Sequence, residues 1–116
     1  MSKITIYQKP TCTTCRQVYG ILKSKGVDFD AVNYYIDPIP RKKLEELLFK
    51  LHMKPRELMR KKEPIYQELG LEHTNYSDDH LIDLMVKYPD LIERPIVERG
   101  GKAILARPSE KIKEIL

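Results

Sequence analysis

Two cysteines three residues apart, Cys12-Thr13-Thr14-Cys15, are the only thiols in a chain of 116 residues, and they stand where an extended segment gives way to a helical pattern. A cysteine at the N-terminal end of a helix meets backbone N–H groups that lack intrahelical acceptors, and the positive end of the helix dipole. Both favour the thiolate, the form of sulfur that attacks disulfides and other electrophiles. Cys15 falls on the same helical face. It can attack an adduct formed on Cys12, release the product and leave a Cys12–Cys15 disulfide. Arg16 adds positive charge nearby. The bland alternative is two ordinary buried cysteines at a helix start. Against it, Cys-x-x-Cys directly after a strand signals redox chemistry, although it does not name a substrate. Thiols so close together staple no distant loops, as a secreted disulfide scaffold would. Nor do they make a zinc site, which takes four ligands, because His52, His73 and His80 are scattered without ligand spacing.

A second set of residues suited to chemistry lies near the C-terminus. Ile96–Arg99, then Gly100-Gly101, then Lys102–Ala106 reads as a β-hairpin with a two-residue turn. With the turn centred between the glycines, Arg99 faces Lys102, Val97 faces Ile104, and Arg94 faces Arg107. Directly opposed side chains have β-carbons roughly 5 Å apart, and like charges there repel. Two arginines so held suggest an anion between them, since guanidinium forks match tetrahedral oxyanions. The alternative is that pairing stops short and both splay into water. A one-residue error in the turn would also remove the opposition.

These residues need a scaffold, and the patterning supplies one. Lys3–Tyr7 alternates and reads as a first strand, broken by Gln8-Lys9-Pro10-Thr11. From Cys12 or Thr13 the spacing of Val18, Ile21 and Leu22 is helical, and Gly26 marks the stop. Val27 to Tyr35 reads as a second strand parallel to the first, joined by a right-handed crossover. The middle is helical. One helix runs over about Arg41 to Leu51, with Leu44, Leu47, Leu48 and Leu51 on one face. Pro55 opens a short helix carrying Leu58 and Met59, and Glu63-Pro64 opens another that Gly70 ends. Ser77 to His80 is an N-cap region for a helix with Leu81, Ile82, Leu84 and Met85 inward, ending near Tyr88-Pro89. After the hairpin, Pro108-Ser109 opens a final helix with Ile112, Ile115 and Leu116 apolar. The order β-α-β, helical insertion, β-β-α predicts an α/β, thioredoxin-like fold. It is read as one domain over 1–116, with the core at about 1–38 and 90–116 and the insertion at about 39–89.

Composition sets wider bounds. The chain is 41% hydrophobic and 33% charged, which reads as globular rather than disordered. No apolar run approaches a membrane span and no signal-peptide segment is recognisable, so a cytoplasmic location and no membrane partner are expected. The net charge of +4 is mild and mostly interleaved, and the tyrosines do not alternate with basic residues. Direct nucleic-acid binding is therefore not expected.

The chain resembles the ArsC family, whose best-known members are glutaredoxin-linked arsenate reductases. The resemblance runs through Ile4–Tyr7 with Pro10, Cys12, Thr14 and Arg16, then Arg56–Lys61 and Tyr66–Leu71. It continues through Asp78–Asp83, Arg94–Val97 and Arg107–Glu110. It implies that Cys12 attacks arsenate and that Arg60, Arg94 and Arg107 bind the oxyanion and stabilise the thiol–arsenic intermediate. It also implies a thioredoxin-like fold with a helical insertion, and a cis bond before Pro95, next to the site. Arg60 enters only through the resemblance, for on its own it reads as part of a basic surface run. The chain departs from that pattern at two places. Glutaredoxin-linked members typically carry a serine at the position of Cys15, and use glutathione to attack the adduct. The best-known of them also carry a histidine near the position of Gln8.

The resemblance therefore implies an arsenate reductase with no bound metal or organic cofactor. Cys15 or glutathione resets Cys12, and thioredoxin or glutaredoxin is the external partner. A monomer is expected. Cys-x-x-Cys is also similar to the Spx branch of the family, redox-sensing transcription regulators that bind RNA polymerase. Spx-type chains generally lack the Arg60-Lys61 run and the Arg107-Pro108 pair, both present here. A third reading is a general thiol–disulfide oxidoreductase with no arsenate preference.

Overall fold

In the computed structural model, which describes residues 3–116, alternation and helical spacing resolve into four strands and five α-helices among the described residues. The chain divides into two compact units. One comprises the N-terminal segment up to Asp37 together with Arg94–Leu116, and the other is Pro38–Glu93.

The first unit holds the sheet. Strand β1 (Ile4–Gln8) leads through a short loop into helix α1 (Thr13–Ser24), and the chain returns in β2 (Phe29–Asn33). β2 pairs parallel with β1, Ile4 beside Phe29 and Gln8 beside Asn33. The second strand is shorter than the Val27–Tyr35 read from the sequence. Alternation continues past Asn33, but Ile36 and Asp37 N–H groups bond back to the Asn33 carbonyl and turn the chain. Gly26, at φ +66°, ends the approach from α1 in a conformation that favours glycine. The hairpin strands β3 (Ile96–Arg99) and β4 (Lys102–Leu105) complete the sheet in the order β2-β1-β3-β4, with β3 antiparallel to both neighbours. This is the thioredoxin-like arrangement.

Alternation decides which side chains meet. Ile4 and Ile6 of β1, Val97 of β3 and Ile104 of β4 turn to one face. There they pack with Val18 and Leu22 of α1 and with Ile112 and Ile115 near the C-terminus. That final segment, Ser109–Glu114, is a 3₁₀ helix closed by bonds such as Lys111 N–H to the Pro108 carbonyl. It spans six residues, longer than most 3₁₀ runs.

The second unit is helical. α2 (Arg41–Leu51) packs on α5 (Asp78–Lys87), burying Leu44, Leu47 and Leu48 with Leu81, Ile82 and Met85. Arg41 ties the two helices on the outside, pairing with Asp79 and Asp83. Ser77 caps α5, its hydroxyl accepting from the His80 N–H at 3.2 Å. Two short helices lie between, α3 (Pro55–Leu58) and α4 (Pro64–Glu68), followed by a 3₁₀ turn over Leu71–His73. Met59, read as part of α3, instead leaves the helix and forms a bridge with Ile92. Among the described residues, no helix is long and apolar enough to cross a membrane.

Leu22 is fully buried between α1 and the sheet. Leu22→Ala should lower stability by about 3 kcal/mol, the usual result of removing a large aliphatic side chain from a close-packed core. A fall in the urea midpoint with an unchanged slope would confirm it.

Candidate active site

The loop between β1 and α1 places the first thiol. The Cys12 N–H bonds to the Lys9 carbonyl at 2.9 Å, and the Cys12 carbonyl accepts the first helical bond, from Arg16 N–H at 3.0 Å. Cys12 is thus the N-cap of α1, with extended backbone angles. In the place where a serine or aspartate oxygen commonly accepts, its sulfur accepts from the Cys15 N–H at 3.4 Å. The first turn of α1 contains no acidic residue, so nothing there neutralises the positive end of the helix dipole. Cys15 lies one turn on, with no exposed surface, whereas Cys12 is half-buried. Both cysteines carry free thiols.

The hairpin brings the cations. Val97 pairs with Ile104 and Ile96 with Leu105, the register read from the Gly100-Gly101 turn. Beyond the strands, the Ala106 N–H still reaches the Pro95 carbonyl at 3.0 Å. The paired ladder stops there, because the Arg107 N–H folds back to the Leu105 carbonyl at 2.9 Å. Arg94 and Arg107 nevertheless meet at the hairpin's open end, and neither splays into water. Arg94 is 5% exposed, and its carbonyl accepts from Arg107 Nη1 at 2.9 Å. The same nitrogen of Arg107 lies 3.9 Å from the Cys12 sulfur. The peptide bonds before Pro95 and Pro108 are both cis, and Pro95 is buried.

These neighbours act in opposite senses on the two sulfurs. Burial alone would push the Cys12 thiol up. Hydrogen bonds from the Cys15 side chain and amide, with the charge and hydrogen bond of Arg94, outweigh it and leave the Cys12 pKa lowered. Cys15 is pushed up to about 12, first by burial and then by donating its own proton to Cys12. One sulfur is poised as an anion and the other holds its proton. Burial also works against charge on Arg94, but Tyr34, Tyr35 and Cys12 around it more than compensate, and its pKa is raised.

Among the residues singled out in the sequence, Cys12, Cys15, Arg94 and Arg107 thus meet in one place, with Pro95 beside them. Arg60 belongs to the helical unit. There its Nε donates to Glu63 at 3.0 Å and another guanidinium nitrogen pairs with Glu93. Gln8 is buried at the end of β1, its carbonyl accepting from the Tyr34 N–H at 3.4 Å. The sequence did not point to Tyr34, Tyr35 or Lys9. Tyr35 accepts from Arg94 Nη1 at 3.3 Å, and the Lys9 ammonium stands 4.6 Å from the centre of the Tyr35 ring. Among the described residues, no group of three or more His, Cys, Asp or Glu side chains is placed to hold a metal ion. In chemical terms the arrangement offers a nucleophilic sulfur, a second thiol behind it, and guanidinium donors suited to an oxyanion.

Comparison with known proteins agrees with this chemistry. The model of the ArsC family matches residues 7–115. An arsenate reductase of Acidiphilium multivorum is 40% identical over 116 residues, spanning 100% of this chain and 82% of its own. The uncharacterized protein YfgD of Escherichia coli is 42% identical over 115 residues, spanning 98% of this chain and 97% of its own. Among solved structures, an arsenate reductase from Vibrio cholerae superposes with a TM-score of 0.94 at 35% identity, covering 99% of this chain and 98% of that one.

The asymmetry of the two thiols has a measurable consequence. Alkylation by iodoacetamide should fall on Cys12, and its rate should rise through a pH midpoint below the value of about 8.5 for free cysteine. Below that midpoint the sulfur is protonated and the rate drops. Arg94→Ala should move the midpoint up, since a neighbouring opposite charge favours the anion. Cys15 should react only after unfolding. Peptide mapping by mass spectrometry across a pH series reads each outcome.

Proposed function

From the premise that the chain belongs to the ArsC family, we propose that it reduces arsenate to arsenite through the Cys12 thiolate. The observation that carries this reading is a sulfur capping α1 with Arg107 at 3.9 Å and the Arg94 charge acting on it. Arginine forks match the paired oxygens of a tetrahedral oxyanion. Arg94 and Arg107 are the groups that would seat arsenate against the sulfur. Arg60 is proposed as a third oxyanion ligand on the family resemblance.

The chemistry then runs in balanced steps. The Cys12 sulfur adds to As(V), an arsenic–oxygen bond breaks, and that oxygen takes up protons and leaves as water. A second thiolate next attacks the Cys12 sulfur. The electron pair of the S–As bond stays on arsenic, which becomes As(III) and leaves as arsenite, and the two sulfurs are joined as a disulfide. Cys15 is the internal candidate for that attack. While Cys12 is an anion, it helps hold the Cys15 proton in place. Once Cys12 is bonded to arsenic its charge is gone, and that part of the resistance to ionisation goes with it. Glutathione is the external candidate. Thioredoxin, or glutaredoxin with glutathione, then returns two electrons to the disulfide.

The presence of Cys15 favours one further reading, general thiol–disulfide exchange, because a low-pKa cysteine at a helix start with a partner three residues on serves that reaction equally. The arginines separate the two. Arg94→Ala should cost at least about a hundredfold in kcat/KM for arsenate, the usual scale for losing an oxyanion donor. The same change should alter reduction of a small disulfide far less. Coupled NADPH assays with thioredoxin, and with glutaredoxin plus glutathione, test the proposal directly. Turnover in neither system would end it, as would full activity in Cys12→Ser.

The route of reset has its own assay. Cys15→Ser should lose thioredoxin-driven turnover and keep the glutathione-driven reaction. Equal rates of the variant and wild type in both systems would make Cys15 a bystander.

A further inference from the structure

An arginine side chain is long and flexible, and its guanidinium takes a fixed direction only when its nitrogens are anchored. Arg94 has such an anchor just beyond β2. The Tyr35 hydroxyl accepts from Arg94 Nη1 at 3.3 Å, and the guanidinium carbon lies 6.0 Å from the centre of the Tyr35 ring. The ring also carries the Lys9 ammonium at 4.6 Å from its centre, and the face of an aromatic ring attracts cations through its quadrupole. Tyr35 is itself fixed. Its N–H bonds to the Asn33 side-chain oxygen at 3.1 Å, and its ring lies against that of buried Tyr34, centroids 5.1 Å apart. Tyr35 thus stands behind a buried cation, and that cation acts on the reactive sulfur.

We infer that Tyr35 is a positioning residue, whose hydroxyl holds the Arg94 guanidinium toward Cys12 and whose ring keeps Lys9 beside that pair. The inference rests on Cys12 being the nucleophile, as proposed above, but it does not depend on arsenate being the electrophile. The titratable and charged groups nearest Cys12 on the elements around it are Lys9 of the β1–α1 loop, Cys15 and Arg16 of α1, Arg94 and Arg107 at the hairpin's open end, and Tyr34 and Tyr35 after β2. Tyr34 also interacts with the Arg94 guanidinium, through charge and a hydrogen bond. Tyr35 differs in that its ring lies near both Arg94 and Lys9.

The test uses the whole chain and iodoacetamide, with Cys12 alkylation followed against pH. Four proteins are compared: wild type, Tyr35→Phe, Arg94→Ala and the double variant. Tyr35→Phe keeps the ring and removes the hydroxyl, and its thermal unfolding midpoint checks that the fold is intact. Tyr35→Phe should raise the Cys12 midpoint by about half a unit, leaving about threefold less thiolate at any pH below it. In the Arg94→Ala background, the same change should do nothing more. A Tyr35→Phe midpoint equal to wild type would overturn the inference. So would an equal shift with and without Arg94, because Tyr35 would then act without it. A wild-type midpoint no lower than that of free cysteine is a separate result. It would remove the thiolate reading itself, and the positioning role with it.

Discussion

A sulfur anion half withdrawn from water is unstable unless positive charge is held close to it, and the sheet-bearing unit is arranged to meet that requirement. Two separate parts of its architecture supply the charge. The start of α1 contributes backbone N–H groups and the dipole end, with no acidic side chain to cancel them. The hairpin contributes Arg94 and Arg107 from the far end of the sequence, more than eighty residues away. A helix start gives a partial charge at fixed direction, whereas a guanidinium gives a full charge that must be aimed. The antiparallel pair β1–β3, with β4 beside β3, fixes the two parts in one frame, so register becomes an electrostatic variable.

The same geometry explains why the two cysteines behave oppositely, Cys15 being raised first by its burial. The hydrogen bond between their side chains lowers the pKa of the one that accepts and raises that of the one that donates. Exposure reinforces the difference, since Cys12 is reachable from solvent and Cys15 is sealed beneath it. The pair is thereby ordered in time as well as in space. Whatever arrives from solvent meets Cys12 first, because Cys15 has no exposed surface.

Much of this was legible in the residues, and the reasons are local. The helix over Arg41–Leu51 follows from leucines at helical spacing, and the hairpin register follows from two adjacent glycines between alternating strands. Cys12 at the mouth of α1 could be placed because a strand, a proline and a helical pattern follow in close succession. What stayed hidden depends on contacts distant in sequence. Met59 continues a helical pattern, yet it is drawn out of α3 by pairing with Ile92. Tyr34 and Tyr35 read only as the end of a strand, because nothing in their neighbours foretells an arginine arriving from position 94. Arg60 reads as part of a basic run, and its partner Glu93 lies 33 residues away.

The hairpin carries a consequence for how this chain tolerates changes in length. Arg94 and Arg107 sit at its open end, and the glycine turn at the other tip is exposed. Adding residues at the tip lengthens a loop and leaves the ladder beneath it in step. Adding a single residue between Lys102 and Arg107 reverses the facing of everything that follows, and Arg107 is carried to the wrong side of the sheet. Adding two restores the side but carries it roughly 7 Å further along the strand. Insertions and grafted tags are therefore accommodated at Gly100-Gly101, whereas β4 works as a measuring rod of fixed length.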